Sequence, residues 1–224
     1  MPPAKTSGHC AIAFCATAFA LSAVAIALPR WSAGATFTDG IGALCLTNGP
    51  GHTRCLQYHT RNSLAPYPDM SFCSVPSDSR LLGETAMQAG LSTPQLVDHV
   101  ASACGFNGYA LVAMVALEMT MGFVSLVVLF NGICFGRLKG PAVPIAVVCN
   151  AVAFLAAILV VCLYAKPNGA SYDVSWYLLL ASAFLYVISL MCGIVFRTTR
   201  RHVDADEGDD FGHVRLETPT GSVV

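Results

Sequence analysis

The sequence predicts an all-α membrane protein: a bundle of four transmembrane helices with a small, disulfide-bonded, β-rich extracellular domain formed by the first loop. Of its 224 residues, 55% are hydrophobic and only 11% are charged, whereas soluble domains carry about 25% charged residues. The mean hydropathy is +0.62. Four apolar stretches are each long enough to cross ~30 Å of hydrocarbon. A long polar loop with four cysteines separates the first two stretches.

The four apolar stretches cover residues 10–28, 109–130, 143–164 and 176–196. Aromatic residues near their ends, Trp31 and Trp176 among them, are typical of the interfacial belts where helices leave a bilayer. A cleaved signal peptide is the alternative interpretation of the first stretch. Its apolar run exceeds the ~7–15 residues of a signal core, which favours a retained helix.

Basic residues set the expected orientation. Arg137 and Lys139 lie between the second and third stretches, and Arg197 follows the fourth. Because basic flanks favour the cytoplasm, we expect a multi-pass plasma-membrane protein with both termini inside. The remaining segments are then a cytoplasmic N-terminus (1–9), a large extracellular loop (29–108), a cytoplasmic loop (131–142), a short extracellular loop (165–175) and a disordered cytoplasmic tail (197–224).

The outer loop contains Cys45, Cys55, Cys73 and Cys104. An even number of cysteines in an extracellular segment predicts disulfides, and three pairings are possible. Cys45–Cys55 is favoured because the turn sequence "TNGPG" lies between two alternating segments that can form a hairpin. Cys73–Cys104 then follows by elimination.

A zinc site is the alternative for the first cysteine pair, since His52 and His59 lie close to it in the sequence. The spacing differs from the usual zinc-finger patterns, and an oxidising compartment favours a disulfide over thiolate ligands. We therefore expect neither a metal nor another cofactor.

The rest of the outer loop gives two local signals. The segment 64–78, "LAPYPDMSFCSVPSD", is rich in proline and serine and predicts irregular structure. Further on, Thr93 followed by Pro94 is typical of an N-cap with proline at the first helical position. This predicts a short helix that ends near Cys104 and leads into the second apolar stretch.

This arrangement resembles the claudin and peripheral-myelin-protein superfamily. Its members have four spans, a long first extracellular loop, a tryptophan after the first span and a pair of spaced cysteines. The claudin loop signature is a tryptophan, then Gly-Leu-Trp, then the two cysteines. Trp31, Cys45 and Cys55 match this signature, Gly42 roughly matches its glycine, and its second tryptophan is absent here.

The chain is also similar to the amastins, the trypanosomatid relatives of that superfamily. Cys45, Leu46, Thr47 and Cys55 match the amastin signature, whereas "NGP" at 48–50 stands where Leu-Trp-Gly is expected. The resemblance implies a surface protein that acts in adhesion, membrane organisation or contact with partners or with further copies of itself.

Glu118 is the only acidic residue within an apolar stretch, and it shares a helical face with Gly122 and Ser125. Similar faces of small and polar residues occur on the third stretch (Ala146, Asn150, Ala153, Ala157) and on the fourth (Ser182, Tyr186, Ser189, Gly193). Their depth in the membrane predicts an intramembrane polar cluster of Glu118, Asn150, Tyr186 and Thr17.

Two roles are open for this cluster, because buried ionisable residues in membranes often mark ion or proton paths. The first role is structural, with Glu118 bonded to Tyr186 or Asn150. The second is transport, which would make the protein a small transporter or an ion-channel subunit. The absence of a second charged residue in the stretches favours the first.

Other functional classes are disfavoured. No hydrolase, metalloprotease or phosphate-loop motif occurs in the sequence, so we expect no enzyme. The net charge of -1 gives no basic patch for nucleic acid. The last three residues, Ser222, Val223 and Val224, match the ending that PDZ domains bind by strand addition, so a PDZ-type partner is a further hypothesis.

Overall fold

The structure is a computed structural model, and it describes residues 3–47, 53–64, 67–77, 79–134 and 142–212. Six helices account for most of the chain. They are α1 (Pro3–Ala27), α2 (Arg80–Ala89), α3 (Thr93–Cys104), α4 (Phe106–Cys134), α5 (Ala142–Leu163) and α6 (Val174–Gly212).

Four of these helices, α1, α4, α5 and α6, are long and apolar enough to cross a membrane. They pack in a ring in which α1 lies beside α6 and α4, and α5 lies beside the same two helices. Consequently α4 and α6 face each other diagonally. Small residues allow this close packing, and the inward face of α1 consists entirely of them: Ala11, Cys15, Ala18, Ser22 and Ala25.

The outer domain is built on an antiparallel sheet of five strands in the order β4-β3-β2-β1-β7. The strands are β1 (Ser32–Ala33), β2 (Phe37–Asp39), β3 (Ala43–Thr47), β4 (Thr53–Gln57) and β7 (Ser171–Tyr172). The last strand comes from the link between α5 and α6, so both outer segments build one sheet. A separate hairpin contains β5 (Asn62–Leu64) and β6 (Tyr67–Met70).

One face of the five-stranded sheet packs against α2 and α3. Alternate residues of a strand point to the same face, and those of β2, β3 and β4 on this face are apolar except for Asp39 and Arg54. With the helices they form the core of the outer domain, whose largest members are Phe37, Leu44, Leu46, Leu56, Tyr58, Phe72, Leu82 and Leu96. The opposite face carries small and polar side chains and the Cys45–Cys55 disulfide.

The predicted hairpin and short helix are present. Strands β3 and β4 pair with Cys45 opposite Cys55. Helix α3 contains Pro94 in its first turn, but its N-cap is Ser92, one residue earlier than predicted. The Ser92 side chain accepts from the Gln95 backbone and the Gln95 side chain accepts from the Ser92 backbone, which makes a capping box.

Three details of the outer loop and the tail differ from the sequence predictions. The segment 64–78 is not wholly irregular, because it contains β6 and a 3₁₀ turn, Phe72–Ser74. Helix α2 was not predicted at all. The tail is not irregular from residue 197, because α6 continues to Gly212. Neither proline nor glycine occurs between 197 and 207, so no residue there ends the helix.

Candidate functional site

The two disulfides fasten the outer domain at separate places. Cys45–Cys55 joins β3 to β4, and Cys73–Cys104 joins the 3₁₀ turn to the last residue of α3. These are the pairs that the sequence favoured. The two sulfur atoms that a zinc site would need are bonded to each other, and His52 lies outside the described residues.

Strand β4 is the longer of the two outermost strands of the described sheet, since β7 at the other edge has only two residues. Along β4 the side chains of Thr53, Arg54 and Cys55 are exposed, while Leu56 points into the core. An edge strand presents unpaired backbone N–H and C=O groups that another strand can bind. Residues Thr53, Arg54 and Cys55 therefore form an exposed part of the edge strand β4.

Asp39 connects this sheet to the helices from a site that is 1% exposed. Tyr58 donates to one carboxylate oxygen at 2.6 Å and Tyr164, which follows α5, donates to the other at 2.7 Å. The Nε2 of His99 on α3 lies 3.2 Å from the second oxygen. Three segments far apart in the sequence thus meet at one carboxylate. We call these four residues the Asp39 junction.

Tyr58 is neutral within this junction. Burial raises the pKa of its phenol well above the usual value, and the neighbouring Asp39 carboxylate raises that pKa further. The phenol therefore keeps its proton and acts as the hydrogen-bond donor to Asp39. The Asp39 junction could not be predicted from the sequence, because none of its members belongs to a local motif.

Trp31 and Trp176, both predicted to be interfacial, lie in different surroundings. Trp31 is completely buried, its indole N–H donates to the Ala25 carbonyl at 2.8 Å, and its ring packs 5.2 Å from Tyr164. The prediction that Trp31 lies at the lipid interface was wrong, since the loop folds back over it. Trp176 is partly exposed and stacks on Tyr172 at 4.5 Å.

A salt bridge and a strand pair join the two outer segments beside Trp31. Arg30 contacts Asp173 at 3.0 Å. The backbone N–H of Asp173 donates to the Trp31 carbonyl, and β1 pairs with β7. The outer domain is thus attached both to the segment that follows the C-terminal end of α1 and to the segment that precedes the N-terminal end of α6.

The structure buries the polar faces predicted within the bundle. Glu118 is fully buried in the middle of α4, and the hydroxyl groups of Ser22 and Tyr186 lie next to its carboxyl group. Asn150 does not contact Glu118. Its amide donates to the Ser189 hydroxyl at 2.9 Å, and the Cys15 thiol donates to its oxygen at 3.5 Å.

Thr17 does not belong to this cluster, so the prediction that it joins Glu118, Asn150 and Tyr186 was wrong. Its side chain is exposed on the outer face of α1, where its hydroxyl donates to the Ala13 carbonyl of the same helix. Depth alone suggested Thr17, but the helix turns about 100° per residue and directs it away from the bundle. Cys15 and Ser22, seven residues apart on the inward face, take its place.

No family model and no curated protein matches the chain. The similarity to claudins and amastins therefore rests on the residues quoted above. The C-terminal residues Ser222, Val223 and Val224 lie outside the described residues, and the PDZ hypothesis stays a prediction.

Proposed function

We propose that the protein is a multi-pass plasma-membrane surface protein that acts in adhesion or membrane organisation. It binds a protein partner, or a second copy of itself, through the outer domain. The observation that carries this proposal is the β4 edge, which is exposed on a domain that is itself fixed to the bundle.

The attachment of the domain supports a binding role. The Cys45–Cys55 disulfide holds β4 against β3, and the Asp39 junction holds the sheet to α3 and α5. A surface that is already ordered loses little conformational entropy when a partner binds. The disulfides also support an extracellular position, because they persist in oxidising compartments.

The resemblance to claudins and amastins supports the same role. In those families the first extracellular loop follows the first span and carries the paired cysteines. The basic residues that flank the predicted spans are consistent with cytoplasmic termini.

A mixed-cell contact assay tests the proposal. Two cell populations express differently tagged copies, and an impermeant crosslinker captures contacts between cells. Thr53→Lys on β4 should reduce the mixed-tag product, because a lysine on an edge strand opposes strand pairing. Gln88→Lys on the exposed face of α2 adds the same charge away from β4 and should leave the product unchanged.

Equal product from both variants would exclude the β4 edge as the contact surface. If no mixed-tag product forms with the unmodified chain, contact between identical chains is excluded. Co-culture with cells that lack the protein then tests for a different partner.

The transport alternative has less support among the described residues. An apolar cluster that contains Val115, Val160 and Leu179 lies between Glu118 and the outer domain. A conducting protein is expected to have a continuous polar path. The apolar residues on the outer side of Glu118 therefore disfavour transport.

A further inference from the structure

Glu118 presents a carboxyl group that its neighbours do not satisfy. Among the described residues, neither oxygen of this carboxyl group has a hydrogen-bond partner, and the same holds for the phenol oxygen of Tyr186. Among the buried side-chain nitrogen and oxygen atoms of the described residues, only these three oxygens lack a hydrogen-bond partner. Buried polar groups in folded proteins are normally hydrogen-bonded, so these atoms require an explanation.

The other polar groups of this layer are already paired with one another. The Ser22 hydroxyl donates to Ser182 at 2.8 Å, and Ser182 donates to the Leu179 carbonyl at 2.7 Å. Asn150 donates to Ser189, whose hydroxyl donates to the Ala11 carbonyl. Glu118 and Tyr186 are thus left to interact with each other.

Gly122 makes room for this interaction. Tyr186 is on α6, which lies diagonally across the bundle from α4. A Cβ atom at Gly122, one turn after Glu118, would overlap the Tyr186 hydroxyl. Glycine at this position lets the phenol reach α4 beside the carboxyl group, so the two helices meet through these polar atoms.

The ionised form of Glu118 fits this place poorly. The site is fully buried inside the bundle, and a carboxylate is unfavourable within a membrane unless it is paired. The titratable groups that face it are Tyr186 on α6 and, next to that tyrosine, Cys15 on α1. Neither is a cation. The acid form has an O–H that the Tyr186 oxygen can accept.

We infer that Glu118 and Tyr186 form a proton-binding site at the centre of the bundle, in which the proton on Glu118 joins α4 to α6. Loss of this proton leaves a carboxylate that the closed bundle does not accommodate. The inference rests on the proposed position of the four helices in a membrane, but not on the partner that the outer domain binds.

Infrared difference spectroscopy of the purified full-length chain in detergent at neutral pH tests this site. The unmodified protein should show the C=O stretch of a protonated carboxylic acid. Glu118→Gln should abolish this band, whereas the control Glu84→Gln should retain it, because Glu84 is exposed and paired with Arg80. Tyr186→Phe should move the band to higher frequency, because the hydrogen bond to the acid is lost.

Absence of the band in the unmodified protein would overturn the inference, as would its persistence in folded Glu118→Gln. If Glu118→Gln does not fold, Tyr186→Phe decides the matter: a shifted band supports the site and an unmoved band refutes it. The cell-contact assay is independent of these spectra, so failure of the proposed function leaves this test intact.

Discussion

The Asp39 junction predicts a large loss of stability from a nearly isosteric change. Asp39→Asn replaces one acceptor oxygen by an NH₂ group, which then faces the hydroxyl of Tyr58 or of Tyr164. Each hydrogen bond to a charged group contributes ~1.5–3 kcal/mol. The carboxylate accepts two such bonds from tyrosines, and the Nε2 of His99 lies 3.2 Å from one of its oxygens. Asp39→Asn leaves one tyrosine hydroxyl facing an NH₂ group, and we expect the loss of that bond to lower the free energy of unfolding of the outer domain by ~1.5–3 kcal/mol.

The assay is denaturation of the purified chain followed by tryptophan fluorescence, because Trp31 packs against Tyr164 at this junction. Limited proteolysis of the outer domain gives an independent measure. Asp98→Asn is the matched control, since Asp98 is exposed on the neighbouring helix α3. Surface substitutions usually change stability by less than ~0.5 kcal/mol. If the Asp39→Asn and Asp98→Asn variants both unfold at the same denaturant concentration as the unmodified chain, the junction does not hold the domain.

Three further predictions rest on the same contacts and on the sequence. Because the pKa of Tyr58 is raised on folding, the outer domain should keep its full stability below ~pH 10 and lose it above, where the unfolded phenol ionises; Tyr58→Phe should flatten this alkaline loss in melting curves. Replacing Cys45 or Cys55 alone with serine should cost ~2–3 kcal/mol and leave an odd thiol. The double replacement should therefore reach the cell surface better than either single one, and equal surface biotinylation of all three would contradict a structural disulfide. For orientation, a cysteine introduced at Arg61 should react with an impermeant reagent on intact cells, and one in the tail (204–224) only after permeabilisation; tail labelling on intact cells would reverse the proposed topology.

Helical periodicity made the inward faces of the bundle readable from the sequence. Residues at i, i+4 and i+7 lie on one side of any α-helix, so Glu118, Gly122 and Ser125 were expected to point the same way, and all three are buried. Thr17 shows the limit of this reading. It was assigned from its depth alone, and only its position around the helix axis decides whether it faces the bundle.

The hairpin was readable for a similar local reason. Turn residues between alternating segments specify the pairing of β3 with β4, and the cysteine spacing fits directly opposite positions on that pair. By contrast, β7 has two residues and no signal of its own. It is a strand only because β1 lies beside it in the folded chain.

The sequence by itself therefore determined the number of apolar helices, their inward faces and the cysteine pair on the hairpin, since each depends on residues within a few turns or one hairpin. Only the tertiary structure decided which distant side chains meet. Three members of the junction come from separate segments of the outer loop: Asp39, Tyr58 and His99. The fourth, Tyr164, follows α5 and lies more than a hundred residues after Asp39 in the sequence. Hydrogen bonds between them form because the packing of the sheet on α3 and α5 buries the carboxylate and brings the donors to it, and no local pattern records that packing.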